Sequence, residues 1–315
     1  MVVNRHGFHR RAPVNDRMVV HRLGTARNRS WWLASAAVLV GLAMFLNLIL
    51  TSPNMRWDVV GRYFTSPLIL KGLERTIELT VISMVIGILL GLLLAFMRLS
   101  PVPVLSYTSW LYIWFFRGTP LFIQIIFWYN LASLLPQLAF GVPFGPHGGN
   151  MSVNHVVTPF FAAILSLSLN EGAYMAEICR SGVSAVSQKQ VESALGLGLT
   201  RLQAMLRIVL PQAVRIILPP SGNQVISMLK NTSLVAVTSL PELLYSAELI
   251  YNQNFQTIPL LVVASLWYLI VTSVLYVGQY YLERRFSRGV APNRNKRSNV
   301  PVDTLPGDNV REATI

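Results

Sequence analysis

One cysteine, Cys179, stands in 315 residues. That excludes an internal disulfide and any metal cluster built on several thiolates. In an apolar helix it reads as a small buried residue. Charge is scarce too, at 12% of residues, where a soluble domain carries about 25%. Acids are the rarer sign, 13 against 26 Lys and Arg. No G-x-x-x-x-G-K-[ST] loop occurs, so the chain lacks that phosphate cradle. The apolar runs offer no paired His/Cys ligands and no nucleophile–base pattern, which disfavours a membrane enzyme.

Apolar sequence is abundant. Hydrophobic residues make up 53% of the chain, and mean hydropathy is +0.49. Uninterrupted runs of roughly 20 residues match the length a helix needs to cross a bilayer. The chain reads as an all-α integral membrane protein. Its net charge of +13 does not indicate nucleic-acid binding, because Lys and Arg collect at span ends and tails.

Residues 1–30 hold seven arginines and one acid, Asp16, with no apolar period. They read as a disordered cytoplasmic tail. "WWLASAAVLVGLAMFLNLIL" (31–50) is longer than a signal-peptide core and runs into "TSPNMRW", so an uncleaved additional anchor is expected. Further spans are expected at 76–97, 119–138, 157–179, 214–239 and 258–282, about six in all. Loops 139–156 and 240–257 contain no Lys or Arg. The positive-inside rule then places them outside, and both termini in the cytoplasm. Residues 51–75 break this pattern with Arg56, Arg62, Lys71 and Arg75, and an amphipathic entry helix on the surface is expected there. Residues 285–315 read as a second disordered cytoplasmic tail. His147 lies in a glycine- and proline-rich outer loop that offers little support for a metal.

Between two apolar runs lies "SQKQVESALGLGLTRLQAMLRIVLPQA" (187–213). Ser187…Gln190 and Thr200…Gln203 each have the S/T-x-x-Q form of a capping box. They predict a helix over 188–195, a turn using the positive-φ freedom of Gly196 and Gly198, and a second helix from Arg201. Pro211 is expected to end that helix. Leu202, Met205, Leu206 and Val209 form one apolar stripe at helical spacing, with Arg201 and Arg207 off it. A solvated connector, a helix on lipid headgroups and a docking element all fit this pattern.

The spacing resembles the EAA loop of ABC importer permeases: E-A-A, three residues, Gly, nine residues, I-x-L-P. Here it reads Glu192-Ser193-Ala194, Gly198, then Ile208-Val209-Leu210-Pro211, with Ser193 replacing one alanine. "FFRGTPLFIQ" (115–124), "AYMAEICRSGVSAV" (173–186) and "PPSGNQVISMLKNTSL" (219–234) are similar to the polar amino acid subfamily (histidine, glutamate, arginine and opine permeases). The likeness covers about 72–284. It implies a type I ABC importer permease domain in the bacterial inner membrane, with the 187–211 helix-turn-helix as its cytoplasmic coupling element. Glu192, Ser193, Ala194, Gly198, Arg201, Ile208 and Pro211 would meet a separate ABC ATPase subunit. ATP and Mg would belong to that subunit, leaving no cofactor in this chain. A second permease subunit, identical or related, and an extracytoplasmic solute-binding protein are the other implied partners. Two departures stand out: Ser187-Gln188-Lys189-Gln190 for the usual Pro-Lys-Gly-Gln, and Asn231 for the usual Asp before Thr232-Ser233-Leu234.

Polar residues inside the spans are the candidates for the path. A charge at the bilayer centre costs about 3 kcal/mol, so such groups face the bundle interior, pair, or line water. Glu171 and Glu177 are separated by about 240° around a helix. Glu171 is the deeper and the better path residue; Glu177 is expected to pair with Arg180. Gln124, Asn170, Asn223, Gln224, Lys230, Asn231 and Thr232 are the other candidates for a polar amino acid, against a role as interhelical glue worth about 0.6 kcal/mol per bond. Pro219-Pro220 and Gly222 predict a broken helix beside the path, and Arg117 reads as an interfacial anchor. The competing function is an ion-gradient-driven carrier or channel independent of ATP.

Overall fold

A computed structural model describes residues 29–141, 147–152 and 156–286. The two expected tails therefore lie almost wholly outside the described residues. The chain divides into two units, Met1–Met55 and Arg56–Ile315. In the first, α1 (Arg29–Leu50) is one unbroken apolar helix of 22 residues, about 33 Å long and sufficient to span. Residues 31–50 of this helix are almost entirely exposed.

The second unit begins with the short α2 (Trp57–Phe64), which buries Val59 and Val60. This is the expected amphipathic entry helix, but it is shorter than the sequence suggests. Lys71 and Arg75 belong instead to α3 (Pro67–Leu99), which starts nine residues before the expected span because Pro67 and a Ser66 cap initiate it there. Arg75 is paired with Glu78 at 2.6 Å and sits over the Phe160 ring, so its charge is met locally.

The next elements are α4 (Pro103–Gly118), α5 (Leu121–Tyr129) and α6 (Leu131–Leu134). The expected span at 119–138 is corrected here. The apolar path runs through α4 and α5, which are bent by 101° at Thr119-Pro120. Gln137–Gly141 and His147–Ser152 form an antiparallel hairpin, β1 and β2, inside what reads as an outer loop. Then come α7 (Pro159–Ser184), α8 (Gln188–Gly196), α9 (Arg201–Ala204), α10 (Leu210–Asn231), α11 (Leu243–Asn254) and α12 (Thr257–Phe286). A π-turn (Met205–Val209) joins α9 to α10, and a 3-10 segment (Thr232–Thr238) follows α10.

Among the described residues, four helical stretches are long and apolar enough to cross a membrane, and the α4–α5 pair makes a fifth. Helix α7, at 26 residues, has the length of a sixth. Half its residues are buried against other helices, Asn170 and Glu171 among them. A helix sheltered in this way need not be apolar.

α3 and α7 share the most extensive helix contact. Ser83, Gly87 and Gly91 make a small-residue stripe on α3 that lets the backbones approach. A Cβ at Gly87 would run into the Glu171 side chain, and one at Gly91 into Met175. At one end of the bundle α2, α3, α11 and α12 enclose a core around Ile69, Leu243 and Leu260. A second core, around Leu79, Ile125, Leu167 and Val235, joins α3, α5 and α7 to the 3-10 segment.

Candidate functional site

Pro120 organises the first half of the site. In a continuous helix its N–H would bond the Phe116 carbonyl; proline has none. The Gln124 and Asn170 side-chain amides each donate to that oxygen at 3.0 Å. Gln124 also donates to the Thr119 carbonyl and hydroxyl, and accepts from Asn170 at 3.2 Å. The bend is therefore held by two buried amides.

Just beyond it lies a cavity of about 590 Å³, lined by Arg117, Asn170, Glu171, Gln224, Ser227 and Asn231, with Tyr174 and residues 118–121 completing it. The Glu171 side chain is buried, and its Oε1 has no hydrogen-bond partner among the described residues. Gln224, Ser227 and Asn231 fall at i, i+3 and i+7 on α10, one stripe facing the cavity. Asn223 and Lys230, one residue out of register, are exposed and do not line it. Thr232 is buried and donates to the Leu229 carbonyl. Of the eight path candidates, Asn170, Glu171, Gln224 and Asn231 come together; Gln124 supports them from behind. Lys230, Asn223 and Thr232 do not join the lining. Arg117, read from the sequence as an interfacial anchor, is exposed, and its guanidinium lies over the Tyr174 ring at the cavity wall.

A second cavity, of about 570 Å³, shares Arg117, Gly118 and Tyr174 with the first and is also lined by Arg98, Trp110, Glu177 and Arg180. Glu177 and Arg180 form the expected ion pair, bidentate at 2.5 and 2.9 Å. Helix α10 is not broken at Pro219-Pro220. The Ser221 hydroxyl donates to the Ile217 carbonyl and Gln279 to that of Pro219, next to the Arg215 and Ile216 carbonyls that the two prolines cannot bond. Gly222 leaves room for the Gln279 amide.

The helix-turn-helix folds largely as its residues predict. Gly198 has φ +86, and the Gly198 and Leu199 N–H groups donate to the Leu195 and Ala194 carbonyls. Those two bonds form a Schellman cap, which needs that left-handed residue. Thr200 and Gln203 make both bonds of a capping box. Ser187 makes no side-chain cap bond: the Gln190 N–H donates to the Ser187 carbonyl at 3.0 Å, and the Gln190 side-chain oxygen accepts from Gln212 at 2.8 Å. Pro211 does not end the second helix. The π-turn, with Leu210 N–H donating to Met205, widens the ladder ahead of the proline, and Gln212 donates to the Ile208 carbonyl. Ala194 and Val209 are buried, Ile208 is half-buried, and Glu192, Ser193, Gly198, Arg201 and Pro211 are exposed. Of the apolar stripe, Leu202, Met205 and Leu206 are exposed; only Val209 is inside.

A polytopic helical bundle with a half-open polar cavity and a helix-turn-helix that exposes apolar side chains defines a membrane permease. Residues 87–288 match the family described as the binding-protein-dependent transport system inner membrane component. The arginine transport system permease protein ArgU of Corynebacterium glutamicum is 42% identical over 266 residues, covering 84% of this chain and 82% of that protein. The L-cystine transport system permease protein TcyB of Bacillus subtilis is 34% identical over 252 residues, covering 79% and 100%. A crystal structure of an amino acid ABC transporter with histidines superposes with TM-score 0.60 at 32% identity, covering 70% of this chain and 94% of that one. The chain belongs to this family: it is a multi-pass inner-membrane permease subunit of an ATP-driven importer of the amino acid class. The gradient-driven carrier reading is set aside.

Proposed function

We propose that the chain forms part of the translocation path for a polar amino acid and couples it to a cytoplasmic ATPase through residues 187–211. The observation that carries the path assignment is Glu171: a buried carboxyl oxygen without a partner, in one cavity with Arg117 and three side-chain amides. An α-amino acid carries one group for each charge. Its carboxylate suits the Arg117 guanidinium, which forms planar, charge-assisted bonds. Its ammonium, or a cationic side chain, suits Glu171. Asn170, Gln224 and Asn231 supply uncharged donors and acceptors. The 42% identical arginine permease makes arginine the first solute to test.

The remaining assembly follows the family. A second permease subunit would complete the path, a pair of ATPase subunits carrying ATP and Mg would grip 187–211, and an extracytoplasmic binding protein would deliver solute. The exposed Leu202, Met205 and Leu206 supply apolar contact for the ATPase, and Glu192 with Arg201 the polar contacts. Both termini would be cytoplasmic. Closure of the ATPase pair would shift the loop as a rigid body and open the path outward.

The test is uptake of labelled arginine, lysine, histidine and glutamine by the full complex in proteoliposomes. Glu171→Gln is expected to abolish uptake of at least one solute while Lys230→Gln preserves it. Equal uptake by both variants would remove the cavity from the path.

A further inference from the structure

We propose that the second cavity is a separate, cytoplasmic-side station for the same solute, with the Arg117–Tyr174 contact as the partition between the two. The inference rests on the path assignment above. Three observations carry it. The cavities share Arg117, Gly118 and Tyr174 and so lie on one route. Glu177 follows Glu171 on α7 by six residues, about 9 Å along the helix toward α8. The lining there also carries both signs of charge, from Glu177 against Arg98 and Arg180.

The bonding capacity fits a zwitterion. A guanidinium has five N–H donors. Arg180 donates two to Glu177, and Arg98 donates one to the Ser106 hydroxyl at 2.8 Å. Both keep donors for a carboxylate, and Glu177 accepts an ammonium. Trp110 and Trp114 belong to the lining, and both are exposed. Their faces suit a guanidinium or ammonium by cation–π attraction. The same arginines and tryptophans suit an anionic lipid headgroup, but Glu177 repels a phosphate, and the wall shared with the first cavity places this one in series with it. A solute leaving Glu171 past Tyr174 meets charged partners again before bulk water.

Solute protection of single cysteines tests this in the complete transporter, in a Cys179→Ala background. Trp114→Cys reports the second cavity and Ser227→Cys the first; Trp110→Cys replaces the first-named reporter if it fails to assemble. The probes are arginine, lysine, histidine and glutamine, added one at a time against a thiol reagent. At about ten times its dissociation constant, a bound solute slows labelling about tenfold. The expected result is protection at both reporters, with protection at Trp114→Cys persisting after Glu171→Gln abolishes it at Ser227→Cys. Protection at Ser227→Cys alone overturns the second station and leaves the path assignment standing. No protection at either overturns both. Protection of Trp114→Cys by vesicles rich in phosphatidylglycerol, and by no amino acid, makes this a lipid site and overturns the proposal.

Discussion

Asn170 on α7 donates its side-chain amide to the Gln124 carbonyl oxygen on α5 at 3.2 Å, and both amides converge on the carbonyl that Pro120 leaves open. These residues shape the cavity by fixing the bend that presents Arg117. Burying a polar group without its partner costs about 1–3 kcal/mol. Asn170→Ala and Gln124→Ala are each expected to destabilise by about that amount, and the double variant by less than the sum, because the singles leave each other's partner stranded. Thermal unfolding of the detergent-solubilised subunit measures the cycle. Strict additivity would show that the two amides act independently.

Close approach of α3 to α7 makes a second prediction. Gly91 leaves no space for a Cβ beside Met175, whereas nothing lies within 4 Å of one added at Gly278. Gly91→Leu is expected to cost about 1–3 kcal/mol or more by overpacking. Gly278→Ala is expected to gain about 0.4–1 kcal/mol through the unfolded state. Unfolding midpoints in one detergent compare them; equal midpoints would contradict the packing.

What was legible in the sequence follows from how far each signal reaches. The turn and the Thr200–Gln203 cap are local, involving residues within a few positions, and both appear, but Gly198 alone takes positive φ while Gly196 stays in the helix. Ser187–Gln190 has the same local form yet fails: the Gln190 N–H turns to the Ser187 carbonyl, and the Gln190 side-chain oxygen accepts from Gln212, 22 residues away. Pro211 and Pro219-Pro220 look like helix breaks, but a π-turn precedes the first and the helix runs on through the others. Span lengths give no rotation about a helix axis, so Asn223 and Lys230 could not be told from Gln224 and Asn231. The one-residue offset decides which pair faces the cavity. Tyr174 and Ser227 were recoverable, since each lies at helical spacing from a polar candidate: Tyr174 from Asn170 and Glu171, Ser227 from Gln224 and Asn231. Arg117 was not, because its position depends on the 101° bend.

The two capping sequences give a third prediction. Thr200→Ala removes a formed capping box and is expected to cost about 0.5–2 kcal/mol at the start of α9. Ser187→Ala removes no side-chain bond and is expected to be near neutral. Amide hydrogen exchange across 200–206 and 187–193 reads each locally. Faster exchange after the serine change alone would reverse the assignment.

Glu242, which begins α11, makes stability depend on pH. Its carboxylate accepts from the Leu244 and Tyr245 N–H groups and the Tyr268 hydroxyl. These bonds favour the charged form, but burial outweighs them and pushes the carboxyl from its ordinary value near 4.5 up to about 7. Between those values the folded chain holds a proton that the unfolded chain has released, so stability falls as pH rises. The contribution is complete below about pH 4.5 and lost above about pH 7, a difference of about 3 kcal/mol. Unfolding at about pH 5 and about pH 8 should show that slope, and Glu242→Gln should flatten it. A slope unchanged by the substitution would place the titrating group elsewhere.

Glu192 is exposed on α8, one turn from the Schellman cap, and belongs to no ion pair among the described residues. An exposed acid is dispensable for folding, so Glu192→Lys should leave insertion and unfolding unchanged. If it meets a basic groove on the ATPase, reversal places like charges together and costs about 2–5 kcal/mol at the joint. The low end of that range corresponds to roughly a thirtyfold loss of coupling. ATPase stimulation by solute-loaded binding protein, and uptake in the same vesicles, should fall together while basal hydrolysis by the free ATPase is untouched. Glu192→Gln separates charge from shape: a smaller loss than the lysine variant marks an ionic contact, and an equal loss marks a steric one. Uptake and stimulation preserved in both variants would take Glu192 out of the joint and leave the exposed Leu202–Leu206 face as the remaining contact.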